Sequence, residues 1–121
     1  MACLTDKFVI NKSLLNEYTL TIKQQDSTLP MVLTDLDVFE AHLFDLDTNA
    51  ESSAVLTVTP LTPYDDGKIK LVITNVDALK SERGAKVDRY YLKPTYRLAI
   101  ECMTTNNGNF VAKVDTVYVD A

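Results

Sequence analysis

The chain has few side chains with which to do chemistry. Histidine occurs once, as His42, and cysteine twice, as Cys3 and Cys102. A serine or cysteine nucleophile needs an oriented imidazole beside it. His42 stands inside the alternating stretch Val38 to Leu46, with no nucleophile motif around it, and is read as a strand residue. Cys102 continues the every-second-residue series Tyr96, Leu98 and Ile100, so it is read as a small buried hydrophobe and not as a thiolate. The run Asp45-Leu46-Asp47-Thr48-Asn49-Ala50-Glu51 sets oxygen donors at alternate positions, as the start of an EF-hand loop does. Its sixth position is Ala50 where the loop needs glycine, and its twelfth is Leu56 where it needs a bidentate glutamate. Asp45, Asp47, Asp65 and Asp66 are therefore expected to be solvated turn carboxylates. Gly67, Gly84 and Gly108 stand apart from one another, which leaves no glycine-rich phosphate loop. No residue is assigned to catalysis, to a cofactor or to a metal, and the chain is read as a non-enzyme.

Composition narrows the remaining functions. The 121 residues are 46% hydrophobic and 24% charged, ordinary values for one globular domain with a modest core. Twelve basic against seventeen acidic residues give a net charge of −5, which repels phosphates and argues against nucleic acid as a partner. No apolar run approaches the roughly 20 residues that cross a bilayer, so no membrane partner is expected. The start, Met1 to Lys7, lacks the basic and apolar regions of a secretory signal. Synthesis in a cytoplasm with two free thiols follows as the expectation.

The elements that would position these groups are mostly strands. Residues 1–16 read as an N-terminal arm whose apolar members Phe8, Val9, Ile10, Leu14 and Leu15 show neither clean alternation nor helical spacing. Residues 17–121 read as the folded domain. Tyr18, Leu20 and Ile22 alternate with polar residues; Leu29, Met31 and Leu33 resume the alternation around Pro30, which points to an edge strand. Further strands are expected over 38–46, 54–59 and 69–73, the last opened by an Asp66-Gly67 turn. Thr74 and Asp77 have capping-box spacing, and Val76, Leu79 and Gly84 predict a short helix that ends at the glycine. A hairpin closes the chain: Tyr96 to Met103, a turn holding Asn107-Gly108, and Phe110 to Val119. Tyr96 at the head of its strand has the character of a tyrosine corner. About seven strands with one short helix predict an all-β, immunoglobulin-like antiparallel sandwich, with a barrel as the alternative.

Six tyrosines without a tryptophan suit protein contacts, and Tyr64, Tyr90 and Tyr91 fall in predicted loops, where such rings anchor interfaces. The basic stretch Arg83 to Arg89 is diluted by Asp88 and reads as a solvated loop or a rim contact to an acidic partner.

The order of these segments resembles a known group. "YTLTIKQQDSTLPMVL", "VFEAHLFDL", "DDGKIKLVITNVDALKSERG", "YRLAIEC" and "NFVAKVDTVYV", over about residues 17–120, are similar to the immunoglobulin-like modules of tailed-phage virions, such as the N-terminal domain of baseplate upper proteins and related tail, neck and fibre-attachment proteins. Gln25-Asp26 stands where that pattern has Gly-Asp, and no receptor-binding or trimerising region follows. The resemblance implies a virion structural protein: a connector, a neck or collar component, or a decoration subunit. It further implies partners among capsid, neck, tail or baseplate subunits, a multi-copy or ring-like homo-oligomer, and a location in the virion. Docking would use sheet edges and the arm, with Phe8, Val9, Ile10, Leu14, Leu15, Tyr64, Tyr90 and Tyr91 as contact residues. The competing expectation is a carbohydrate- or ligand-binding sandwich module.

Overall fold

A computed structural model describes the backbone of residues 2–3, 8–24, 27–86 and 89–121, and the side chains of 8–24, 27–84 and 91–121. Nine strands follow in order: β1 (Ala2–Cys3), β2 (Phe8–Asn11), β3 (Asn16–Thr21), β4 (Val38–Asp45), β5 (Val55–Pro60), β6 (Lys68–Thr74), β7 (Glu82–Lys86), β8 (Arg89–Thr104) and β9 (Gly108–Asp120). They form two sheets packed as a sandwich. In one, β9 lies between β8 and the short β1 and β2, and β8 continues to β4, while β7 pairs with the opening of β8; the other runs β3-β6-β5. Taking β3, β4, β5, β6, β8 and β9 as strands B to G gives the immunoglobulin partition, BED facing CFG. The predicted β-sandwich is thus present.

Alternation places the core. Leu20, Ile22, Ile69, Leu71 and Ile73 line the inner face of the BED sheet, and Phe39, Leu43, Leu98, Ile100, Val114, Val117 and Val119 answer from the CFG sheet. Each large aliphatic side chain taken from water here contributes about 1.5–3 kcal/mol. Ile100 pairs with Ala41 on one side and Ala112 on the other, so a bulky side chain alternates with small ones along the layer. Two register shifts flank Tyr96 in β8 and follow Pro94, whose missing N–H cannot serve a regular ladder.

Three local expectations are revised. Residues 76–84 do not form a helix. Val76 and Leu79 are buried as the two ends of a tight turn, the Leu79 N–H donating to the Val76 carbonyl, and β7 follows from Glu82. Side chains hold the next residue in place of a helical ladder: the Lys80 N–H donates to the Tyr96 hydroxyl at 2.8 Å, and the Thr95 hydroxyl donates to the Lys80 carbonyl at 2.9 Å. This is the tyrosine corner. Gly84 is not a helix stop; a Cβ there would collide with the ring of Tyr91, its partner across the β7–β8 ladder. The helical turn lies elsewhere, as a 3-10 turn at Tyr64–Asp66 closed by Gly67 at φ 64°, where a Cβ would strike the backbone of Ile22 and Met31. Residues 29–33 make a single antiparallel bridge, Pro30 with Lys23, in place of a full strand: Met31 donates to Ile22 while Leu33 turns away to the Tyr64 carbonyl, so the segment is shared between two neighbours.

The arm also differs from a free leader. β2 runs parallel to β9, Phe8 opposite Val117 and Ile10 opposite Val119, and both apolar side chains are buried.

Candidate docking surface

The predicted contact residues separate into inner and outer sets. Phe8 and Ile10 belong to this chain's own core, and the Phe8 ring packs 4.3 Å from that of Tyr18. Val9 is half-buried, and its carbonyl accepts the Tyr18 hydroxyl at 2.7 Å. Burial raises the Tyr18 pKa to about 12, so this donor keeps its proton. Leu14 and Leu15 are the outward pair, 67% and 76% exposed on the turn between β2 and β3. Buried Asn16 fixes that turn. Its amide donates to the Asn11 carbonyl at 2.8 Å and the Leu14 carbonyl at 3.2 Å, and its oxygen accepts the Asn11 N–H at 2.9 Å. The two leucines therefore stand in water on a backbone already ordered, which lowers the entropy cost of docking them. Sequence reasoning missed this lock; the paired asparagines around an exposed Leu-Leu were its visible trace.

Tyr64 is half-buried in the 3-10 turn and packs against the core. Tyr91, 42% exposed, lies over Gly84. The side chain of Tyr90 falls outside the described residues. Arg83 pairs with Asp120 at 3.1 Å, and the rest of the basic stretch through Arg89 lies outside the described side chains.

At the same end of the BED sheet as the Leu14-Leu15 turn, on the other edge, begins an open rim. Asn16 faces Ile73, which faces Leu56, so the turn and the start of β5 share one end of the BED sheet, about 10 Å apart at two strand spacings. β5 pairs with β6 alone. The Leu61 N–H donates to the Lys68 carbonyl, which sets the alternation of the ladder: Thr59, Thr57 and Val55 bond toward β6, and the backbone groups of Leu56, Val58 and Pro60 turn toward the open side. Pro60, with no N–H to offer, falls at an outward position. Side chains leave this rim unguarded. From Asn49 to Tyr64 the only charge is Glu51, and Val55, Thr57 and Thr59 are exposed.

The opposite end of the sandwich gathers three loops. Asp37, buried, ties two of them together by accepting the N–H groups of Thr34 and Thr105, each at 2.9 Å, and both hydroxyls at 3.0 Å. Burial alone would raise its pKa; the bonds from Thr105 and Thr34 outweigh burial and hold it below the ordinary carboxylate value. Leu29, Val32, Leu36 and Val38 are exposed at this end.

The groups considered first for chemistry are placed as follows. Cys102 is 1% exposed, and burial drives its thiol pKa to about 12, so it stays protonated. His42 points outward from β4, and its Nδ1 lies 2.7 Å from Glu51 Oε1, its one hydrogen-bond partner among the described residues. Asp45 and Asp47 both pair with the Lys80 ammonium, at 2.7 and 3.3 Å. Asp65 and Asp66 lie within the 3-10 turn. Among the described residues no helix is long and apolar enough to cross a membrane. No protein-family model, no curated protein and no solved structure gives a match to the chain.

Proposed function

We propose that the chain is a structural docking subunit, a small sandwich that meets neighbouring protein subunits in a virion of the tailed-phage type. One observation carries this reading: the rim of β5 is uncharged and unpaired in its sheet, and at the same end of that sheet, on its other edge, stands the exposed, hydrogen-bond-locked Leu14-Leu15 turn. A free rim offers N–H and C=O groups to a neighbour's strand, and the two leucines supply an apolar anchor at the same end of the sheet. The resemblance to immunoglobulin-like virion modules supplies the setting, with capsid, neck, tail or baseplate subunits as partners and a multi-copy arrangement as the form of assembly.

The test blocks the rim and the anchor separately. Val55→Lys with Thr57→Lys puts two charges on exposed rim positions, neither facing another charge, and Leu14→Ser with Leu15→Ser removes the anchor; neither touches the core. Mass analysis of particles assembled with each variant is expected to show lost incorporation at an unchanged melting temperature. Full incorporation of both variants overturns the proposal. Removal of residues 1–16 would be a poor test, because it also strips Phe8 and Ile10 from the core.

A further inference from the structure

The outer face of the CFG sheet carries a second constellation. Pairing of β4 with β8 sets Glu40 directly opposite Glu101 and His42 opposite Ala99, and the two-residue period puts all four on the outer face, where Ala99 is covered by its neighbours. Like charges facing each other across a ladder destabilise it. Among the described residues neither glutamate takes part in an ion pair or a hydrogen bond, and Lys113, opposite Ala99 on β9, forms no ion pair with either.

We propose that Glu40, His42 and Glu101 bind a divalent cation of the zinc type. Donor atoms of the three side chains lie within 4.8 Å of one another. Ligands about 2.0–2.2 Å from a tetrahedral metal sit about 3.4 Å apart, and the two exposed glutamates have the rotamer freedom to close the difference. The residue facing His42 is Ala99, so no bulky side chain stands between the imidazole and Glu101. An outside group orients the ring. Glu51, brought to β4 by an isolated bridge with Phe44, takes the Nδ1 hydrogen bond at 2.7 Å. A neutral ring donating from Nδ1 keeps its lone pair on Nε2, the arrangement of a metal-binding histidine with its carboxylate partner. One nitrogen and two carboxylate oxygens favour zinc over calcium or magnesium, which take oxygen alone, and leave coordination positions to water. The site does not depend on the docking function, and either can fail without the other.

His42 is the sole histidine, which gives the test an unambiguous signal. The untagged chain carrying Cys3→Ser, to remove a competing thiol, is titrated with Zn2+ by calorimetry and by long-range 1H–15N spectra of the imidazole. Binding of one equivalent that shifts the His42 ring nitrogens is expected. His42→Gln, Glu40→Gln and Glu101→Gln should each weaken it, and Glu51→Gln, which only orients the ring, should weaken it by about 10-fold or more. Without metal, Glu101→Gln should melt no lower than the parent chain, since it relieves the facing charges; with Zn2+ only the parent should gain. An unmoved His42 signal at saturating Zn2+, undiminished affinity in both glutamate variants, or calcium binding as tight as zinc each overturns the proposal.

Discussion

The rims of the two sheets are finished in opposite ways. On the CFG side the outer edge of β9 is covered by the chain's own β1 and β2. The edge of β4 is crossed by residues 50–52, with Asp45 donating to the Ala50 carbonyl and Ser52 to that of Leu43. β7 carries Glu82 and Arg83, and on the BED side β3 carries Glu17, paired with Lys70 at 3.0 Å. Covering, bending and charging are the usual protections against stray strand pairing. Among the described residues β5 has neither a covering strand nor a charge; β4 lies near it, and Pro60 withholds one N–H. That contrast makes β5, not the arm as a whole, the edge we propose for a partner.

Breaking the covered rim should have the largest effect. Ile10→Ala empties a fully buried position on β2 and is expected to cost about 2–5 kcal/mol in denaturant unfolding. A loss under about 1 kcal/mol would mean that β2 is a loose strap and that the contrast with β5 is overstated. Asp37→Ala removes the charged acceptor that ties two loops at the other end, with an expected loss of about 1.5–3 kcal/mol near neutral pH. That contribution has a definite pH sign. Asp37 has a folded pKa below the ordinary value of 3.8, so its stabilisation is complete above that value and fades as pH falls through the lower, folded one. The gap between parent and Asp37→Ala should therefore narrow only below about pH 4. Tyr96→Phe leaves the Lys80 N–H without its acceptor and should cost about 1–2 kcal/mol. The smallest effect sharpens the comparison: Thr57→Lys on the bare rim should change the stability of the isolated chain by about 0.5 kcal/mol or less, while abolishing assembly.

Strands that alternate over six or more residues were legible in the sequence, as were both glycine-bearing turns, because sheet burial imposes a period of two. β2 was not, since four residues are too few to display a period and its partner lies at the other end of the chain. The residues 76–84 misled for a related reason. Val76 and Leu79 have helical spacing, but a tight turn that drops two side chains into the core produces the same spacing, and the deciding bonds come from Thr95 and Tyr96. The rim of β5 could be read as uncharged, yet only pairing reveals which strand lacks a second neighbour. Glu40 and Glu101 stand far apart in sequence, and their meeting depends on register, which no local pattern encodes.

The parallel pairing of β2 with β9 also fixes an order of events. Phe8 finds Val117 and Ile10 finds Val119, so this apolar stretch waits for a strand made much later. A growing chain must carry it unsheltered until β9 has emerged. Closure of that edge therefore comes late, and contacts so distant along the chain form slowly.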